Sequence, residues 1–330
     1  MIYPLKLLLL SQLKRSKLTH KPGGFTLIEL LVAMILATLV IAPLLGFMVN
    51  IMDSDRQEQA KATSEQEIQS ALDFIAQDLK QAVYIYDASG LDNNSTTNPT
   101  TSGIKDQIPP LASATGCGST TTCVPVLVFW KREIRQGVIP VIDSTAKNDT
   151  FVYSLVAYYL IKNGNANPTW SDVARIGRFK IRDGVINPNT PTNDDGSPNY
   201  VSTVEKPSNG FQLFELSGSG ISLKDKMNSW KKKTGENTDY TDQPSTLIDF
   251  VDQSTNEIPV SCPTNAQQVP STLFGGFYAC VDSSKTSAQI YIRGNALARL
   301  KKGTTYSANK SIYFPTASLQ IKEPGFLGIN

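Results

Sequence analysis

The sequence predicts an α+β protein in which one long N-terminal helix packs on an antiparallel β-sheet head. Three observations carry that prediction. An apolar run opens at Gly24 and lasts to about Val49, with a single charge, Glu29, inside it. Apolar residues then recur at three- and four-residue steps, at Ile68, Leu72, Ile75, Leu79, Val83 and Tyr86, which places them on one helix face. Further on, short β-branched and aromatic runs alternate with turn-forming residues, and no helical pattern lies between them, so the strands should pair antiparallel.

The first element is the apolar run. At ~1.5 Å per residue, residues 25–49 are long enough to cross the ~30 Å hydrocarbon core of a bilayer. Lys14, Arg15, Lys17 and Lys21 lie just upstream and belong on the cytoplasmic side. A carboxylate within such a run needs a partner, because it cannot sit alone in lipid. The stretch Gly23-Gly24-Phe25-Thr26-Leu27-Ile28-Glu29-Leu30-Leu31-Val32 resembles the class III signal of type IV pilins and pseudopilins. The resemblance implies that residues 1–24 are a leader, that a prepilin peptidase cuts between Gly24 and Phe25, and that the new amino group of Phe25 is methylated. It also implies that Glu29 docks the subunit into a helical filament. The physical case runs alongside: cleavage leaves a positive amine at the edge of an apolar helix, and packing one subunit on the next can neutralise that amine with a carboxylate. Within one helix the two groups lie four residues apart and could also pair internally. The alternative, an ordinary signal anchor with a chance acid, needs neither the Gly-Phe junction nor Glu29.

The helix is expected to span residues 25–86. Pro43 interrupts its apolar part and frees the Leu39 carbonyl, with Gly46 a turn later. The resemblance suggests that this segment loosens when the subunit leaves the bilayer. Beyond Asn50 the composition turns polar, and the apolar face that follows should pack on a sheet; a free coiled-coil stalk is the alternative reading.

Residues 87–330 form the expected exported head. Asp87 to Thr122 is rich in Ser, Thr, Asn, Gly and Pro and reads as a surface loop. Strands are expected at Val124–Trp130, Phe151–Ile161, Arg178–Arg182, Phe211–Leu216, Leu247–Val251, Gln289–Arg293 and Ser318–Ile321, with Phe179 and Ile181 facing inward. Long polar loops separate them at residues 187–209, 231–243 and 253–270. All four cysteines lie beyond the membrane run, which suits disulfides on the exported side. Of three pairings, Cys117–Cys123 and Cys262–Cys280 are favoured because each closes a local loop. Free thiols and a zinc site made of all four cysteines are the alternatives, the latter weakened by the lack of a close C-x-x-C pair.

Catalysis finds little support. The single histidine, His20, leaves with the leader, which removes Ser-His-Asp and Cys-His chemistry and His-ligated metals from the mature chain. No P-loop and no Gly-x-Ser-x-Gly elbow is present. The reading assigns no catalytic residue, no cofactor and no metal, and the protein is expected not to be an enzyme. Without residues 1–24, 26 basic and 29 acidic side chains remain, a net charge of about −3. That argues against bulk binding of nucleic acid. Lys224, Lys226, Lys231, Lys232 and Lys233 gather around Trp230 and read either as a contact for an anionic polymer, polysaccharide or DNA, or as a solvated loop with one anchoring ring. Asn193, Asp194 and Asp195 before Gly196 are a weak candidate for Ca²⁺, since their spacing is not that of an EF-hand. Arg132, Arg135, Arg175, Arg178 and Arg182 are expected on outer strand faces, and Tyr153, Tyr158, Tyr159, Phe179, Phe211 and Phe214 in the core.

The helix end Ile75-Ala76-Gln77-Asp78-Leu79-Lys80-Gln81-Ala82, with a head of over 200 residues, is similar to the J-type pseudopilins of type II secretion and the W-type minor pilins. Val156-Ala157-Tyr158-Tyr159-Leu160-Ile161-Lys162-Asn163 and Arg175-Ile176-Gly177-Arg178-Phe179-Lys180-Ile181-Arg182-Asp183-Gly184 resemble the hormogonium polysaccharide-secretion pseudopilins of filamentous cyanobacteria. The resemblance implies a minor subunit of a pilus-like filament, anchored in the inner membrane by one span with its head in the periplasm. Its expected partners are prepilin peptidase, other pilins and, as a candidate, an anionic polysaccharide; its expected work is to support polysaccharide secretion and gliding. A minor pilin whose head holds DNA or a surface is the second reading. Glu29 favours a position just below the filament tip.

Overall fold

The computed structural model describes residues 24–94, 101–111, 116–163, 169–217, 222–235 and 238–322. The expected leader, Gly24 apart, lies outside the described residues. The chain divides into two compact units, one ending at Asp55 and the other beginning at Arg56.

Helix α1 (Leu27–Leu79) crosses that division as one continuous element. In the first unit every described residue is exposed. In the second unit α1 buries one stripe, Ala60, Ser64, Ile68, Ala71, Leu72, Ile75, Asp78 and Leu79, at helical spacing. The helix ends at Leu79, short of the expected residue 86. After Lys80 and Gln81 the chain turns into strand β1 (Ala82–Ile85), all four residues of which are buried. A strand buried on both faces shows no alternation, and the four-residue step from Leu79 to Val83 imitates the helical period. The β-branched and aromatic run Val83-Tyr84-Ile85-Tyr86 decides for strand.

Two sheets follow, both wholly antiparallel. The first runs in chain order: β1, β2 (Cys123–Pro140), β3 (Lys147–Lys162), β4 (Ala174–Arg182) and β5 (Ser245–Val251). The second contains β6 (Gln267–Val269), β7 (Phe277–Asp282), β8 (Ser287–Arg293) and β9 (Thr316–Ile321). Among the described residues the bridge from Val251 to Gly294, with backbone hydrogen bonds from Asp252 N to Arg293 O and from Asn295 N to Phe250 O, links the two. Strands β6 and β7 are absent from the sequence-based expectation. Phe211–Leu216, expected as a strand, is irregular; it lies across a sheet face instead of pairing at an edge.

Register shows why the first sheet is so apolar. Leu127, Tyr158 and Arg178 are opposite one another and share one face, which α1 covers. Trp130, Leu155 and Ile181 share the other. There Phe211, Phe214 and Trp230 meet Trp130 edge to face, with ring centroids 5.9, 5.0 and 5.5 Å away. The short helix α2 (Ala88–Asp92) is capped by Asp87, and α3 (Leu223–Asn228) by a Ser222–Asp225 capping box. Disulfides join Cys117 to Cys123 at the start of β2 and Cys262 to Cys280 within β7.

Candidate processing and docking site

Gly24, Phe25 and Thr26 precede α1 without regular structure, and Phe25 is 86 % exposed. A Cβ built on Gly24 meets nothing within 4 Å, and its backbone is not in the left-handed region. The fold therefore makes no demand for glycine here. Any requirement comes from whatever reads the junction.

Thr26 and Glu29 form a capping box at the head of α1. Glu29 N donates to Thr26 Oγ1 at 3.3 Å, while Thr26 N and Oγ1 donate to Glu29 Oε2 at 3.0 and 2.9 Å. Both contacts fall on one carboxylate oxygen; Oε1 accepts nothing among the described residues. Thr26 is the partner that the sequence reading misses, although S/T-x-x-E before an apolar run is its signature. From Leu27 to Met52 the large apolar side chains point in every direction, and all are exposed. A helix apolar all round needs lipid or other apolar helices about it. Among the described residues α1 alone has the length and composition to cross a membrane. It runs through Pro43 without interruption.

At its other end α1 carries a second acid. Asp78 accepts from Lys131 Nζ at 2.9 Å, Arg178 Nε at 2.7 Å and Tyr158 Oη at 2.7 Å. Burial alone would push its carboxyl up; the hydrogen bonds from Arg178, Lys131 and Tyr158 outweigh that and hold it below the usual carboxylate range. An acid on the buried stripe, three residues after Ile75, is the sequence signal for this cluster. Arg178 thus turns inward to the helix rather than out to solvent, correcting the expected outer face. Arg175 is buried as well, with its guanidinium over the Trp170 ring. Arg135 and Arg182 pair with Glu205 at the sheet margin.

Lys226, Trp230 and Lys231 line one cleft, but the tryptophan ring is not an open platform. Trp230 is 4 % exposed, its indole Nε1 donates to the Gln212 carbonyl, and its ring belongs to the core against Trp130. Lys224 is held by Asp87, Lys226 by the Leu216 carbonyl, and Lys232 lies 3.6 Å from Asp239. At Asn193–Ser197 the polar atoms close a turn: Asp195 Oδ1 accepts from Ser197 N and Oγ, and Asn193 Nδ2 donates to Ser197 Oγ. No cluster of metal-ligating side chains occurs among the described residues. Tyr158, Tyr159, Phe179, Phe211 and Phe214 are buried, and Tyr153 is half-buried against the same core.

Residues 20–45 match the prokaryotic N-terminal methylation motif. No curated protein and no solved structure matches the chain. The motif, together with the apolar helix behind it, supports a type IV pilin-like protein that is anchored in a membrane and assembles into a filament. Such a signal implies processing by prepilin peptidase and assembly with other pilins.

Proposed function

We propose that this chain is a minor pseudopilin, a structural subunit of a type IV pilus-like or type II secretion-like filament that supports polysaccharide secretion and gliding motility. One observation carries the reading. A half-satisfied carboxylate, Glu29, sits near the start of an exposed all-round apolar helix, directly behind a glycine the fold does not require. Cutting after Gly24 frees the α-amino group of Phe25, which is then methylated. In the bilayer, residues 25–49 form the span and residues 87–330 the exported head. When the subunit moves into the filament, the free Oε1 of Glu29 accepts from the Phe25 amine of a neighbouring subunit, so both charges leave lipid together. Pro43 lacks an N–H for the Leu39 carbonyl, which makes that turn the one that loosens on leaving the bilayer.

Mass spectrometry of protein from the host should find Phe25, methylated, as the first residue. Glu29→Ala should be trimmed normally yet be scarce in sheared filaments; wild-type incorporation would remove the docking role. Deleting the gene should lower polysaccharide export and gliding and leave DNA uptake intact. The opposite pattern would replace this reading with that of a DNA-binding minor pilin.

A further inference from the structure

The outward face of the second sheet holds a cleft. Ala288, Ile290 and Ile292 of β8 are buried, so Gln289 and Tyr291 point to the opposite side. Register aligns Tyr278, Tyr291 and Ser318 in one row across β7, β8 and β9, and Cys280, Gln289 and Gln320 in the next. The Tyr278 and Tyr291 rings stack, with centroids 4.6 Å apart and planes 7° apart. Tyr306 lines the same open cleft of about 500 Å³, braced edge to face on Phe314 and with the Arg293 guanidinium 4.2 Å from its ring centroid.

One wall is fixed from both ends. Arg293 bonds Asp252 at 2.6 and 2.7 Å and donates to the carbonyls of Ser254, Asn256 and Glu257, which holds the near end of the 253–262 segment. The Cys262–Cys280 disulfide ties its far end to β7. With these partners the guanidinium is occupied within the fold and is not a free cation facing the cleft. The charge at the rim is the exposed carboxylate of Glu257. The hydroxyls of Tyr291 and Tyr306 have no hydrogen-bond partner among the described residues, and neither do the amides of Gln289 and Gln320.

Around the tyrosines, flat rings flanked by hydroxyls and amides that lack a partner among the described residues, with the nearest cation, Arg293, tied to Asp252, suit a ligand that is apolar on its faces and hydroxylated round its edge. A pyranose has that form: its C–H faces lie on aromatic rings and its hydroxyls exchange hydrogen bonds with amides and phenols. A polyanion would instead meet Glu257 uncompensated, and a wholly apolar ligand would bury the phenols unpaired. The glutamine row lies two residues along the strands, ~7 Å from the tyrosine row. It leads to a second cleft of about 400 Å³ on the same face, lined by Gln289, Gln320, Ser287 and Thr264 together with Asp282, Lys285 and Lys322; Lys285 lies 4.0 Å from Asp282, and the exposed Lys322 is at the far side from the tyrosines. Two clefts in line on one face fit a chain of sugars better than a single one. We infer that this face binds a neutral glycan chain, with Tyr291 and Tyr306 contacting sugar faces and Gln289 and Gln320 bonding hydroxyls. The inference rests on the second sheet alone and is independent of the filament reading.

The test is calorimetric titration of the full chain in detergent micelles with cellohexaose, laminarihexaose and maltohexaose, and with oligogalacturonate as the acidic counterpart. At least one neutral hexaose should bind, and more tightly than oligogalacturonate. Tyr291→Ala should weaken it about tenfold, whereas Tyr291→Phe, which keeps the ring, should stay within about threefold. Should Tyr291→Ala disturb folding through its stack with Tyr278, Tyr306→Ala and Gln320→Ala answer the same question, each with an expected loss of affinity. Silence from all three neutral hexaoses, tighter binding of oligogalacturonate, or affinity unchanged in folded Tyr306→Ala and Gln320→Ala would overturn the proposal.

Discussion

Glu29 and Asp78 stand on one continuous helix, each among apolar neighbours, and their charges are met in opposite ways. Asp78 accepts from three donors of its own chain, Lys131, Arg178 and Tyr158, on three strands of the first sheet. Among the described residues Glu29 has only Thr26, one turn away, and its Oε1 accepts nothing. The stripe around Asp78 is buried by the head, while every side chain around Glu29 is exposed. The same electrostatic problem is thus closed within the chain at one end and left open at the other. A helix half that is exposed and apolar all round needs lipid or other apolar helices about it, and the comparison can be broken by treating the two halves separately.

The largest effect should come at the junction. Gly24→Val introduces a side chain whose Cβ meets nothing within 4 Å among the described residues, far in sequence from the head, so the head should unfold at its wild-type temperature. Cleavage should nevertheless fail outright, and immunoblots should show only the longer precursor. Normal trimming of this variant would mean that glycine is not what the peptidase reads.

Asp78→Ala should show the reverse pattern. It strands Lys131 and Arg178 beneath α1, and removing one partner of a buried ionic cluster costs about 3–5 kcal/mol. Denaturant unfolding followed by tryptophan fluorescence suits the measurement, because Trp130 and Trp230 lie in the core. Cleavage after Gly24 should be unaffected. Glu29→Ala, by contrast, should leave unfolding of the head within about 0.5 kcal/mol of wild type.

Cross-links belong to the self-contained half as well. Cys262–Cys280 closes a separation of 18 residues, and on the chain-entropy account its loss through paired serines should cost about 3 kcal/mol. Cys117–Cys123 closes only 6, and its loss should cost about 2 kcal/mol. The order of the two, read from urea midpoints, is the firm expectation. It also bears on the glycan cleft, because loss of Cys262–Cys280 frees one wall.

What could be read from the sequence divides along the same line. The open half was legible as a motif and an unbroken apolar helix, since both are local in the sequence. The antiparallel order of the head was legible as well, through runs such as Phe151–Ile161 and Arg178–Arg182. The closed half hid what depends on distant neighbours. Val83 continued a helical count although β2 had claimed it as a strand. Phe211 and Phe214 carried strand propensity yet serve as a lid over Trp130. Arg178 looked like a surface charge because its partner, Asp78, lies a hundred residues away. Trp230 amid lysines left open whether the ring anchors a loop or meets a ligand, since the ring that receives it is contributed by β2.

The finest test asks how firmly the closed end is held. Tyr158→Phe keeps the ring and removes one donor from Asp78, and a hydrogen bond to a charged group is worth about 1.5–3 kcal/mol. The pH dependence fixes the interpretation. Asp78 has a native pKa below its unfolded value of ~3.9, so its contribution is fully present above that pH and is lost as pH falls through the native pKa. Taking away the tyrosine donor moves the native value back toward the unfolded one. The variant therefore has less to lose on acidification, and the stability gap between it and the wild type should narrow from neutral pH to pH ~2. Glu133, Glu205 and Asp87, also held below the usual range by their cations, titrate in both proteins and drop out of the difference. A gap that stayed constant with pH would assign the Tyr158 hydroxyl to packing and not to the Asp78 charge.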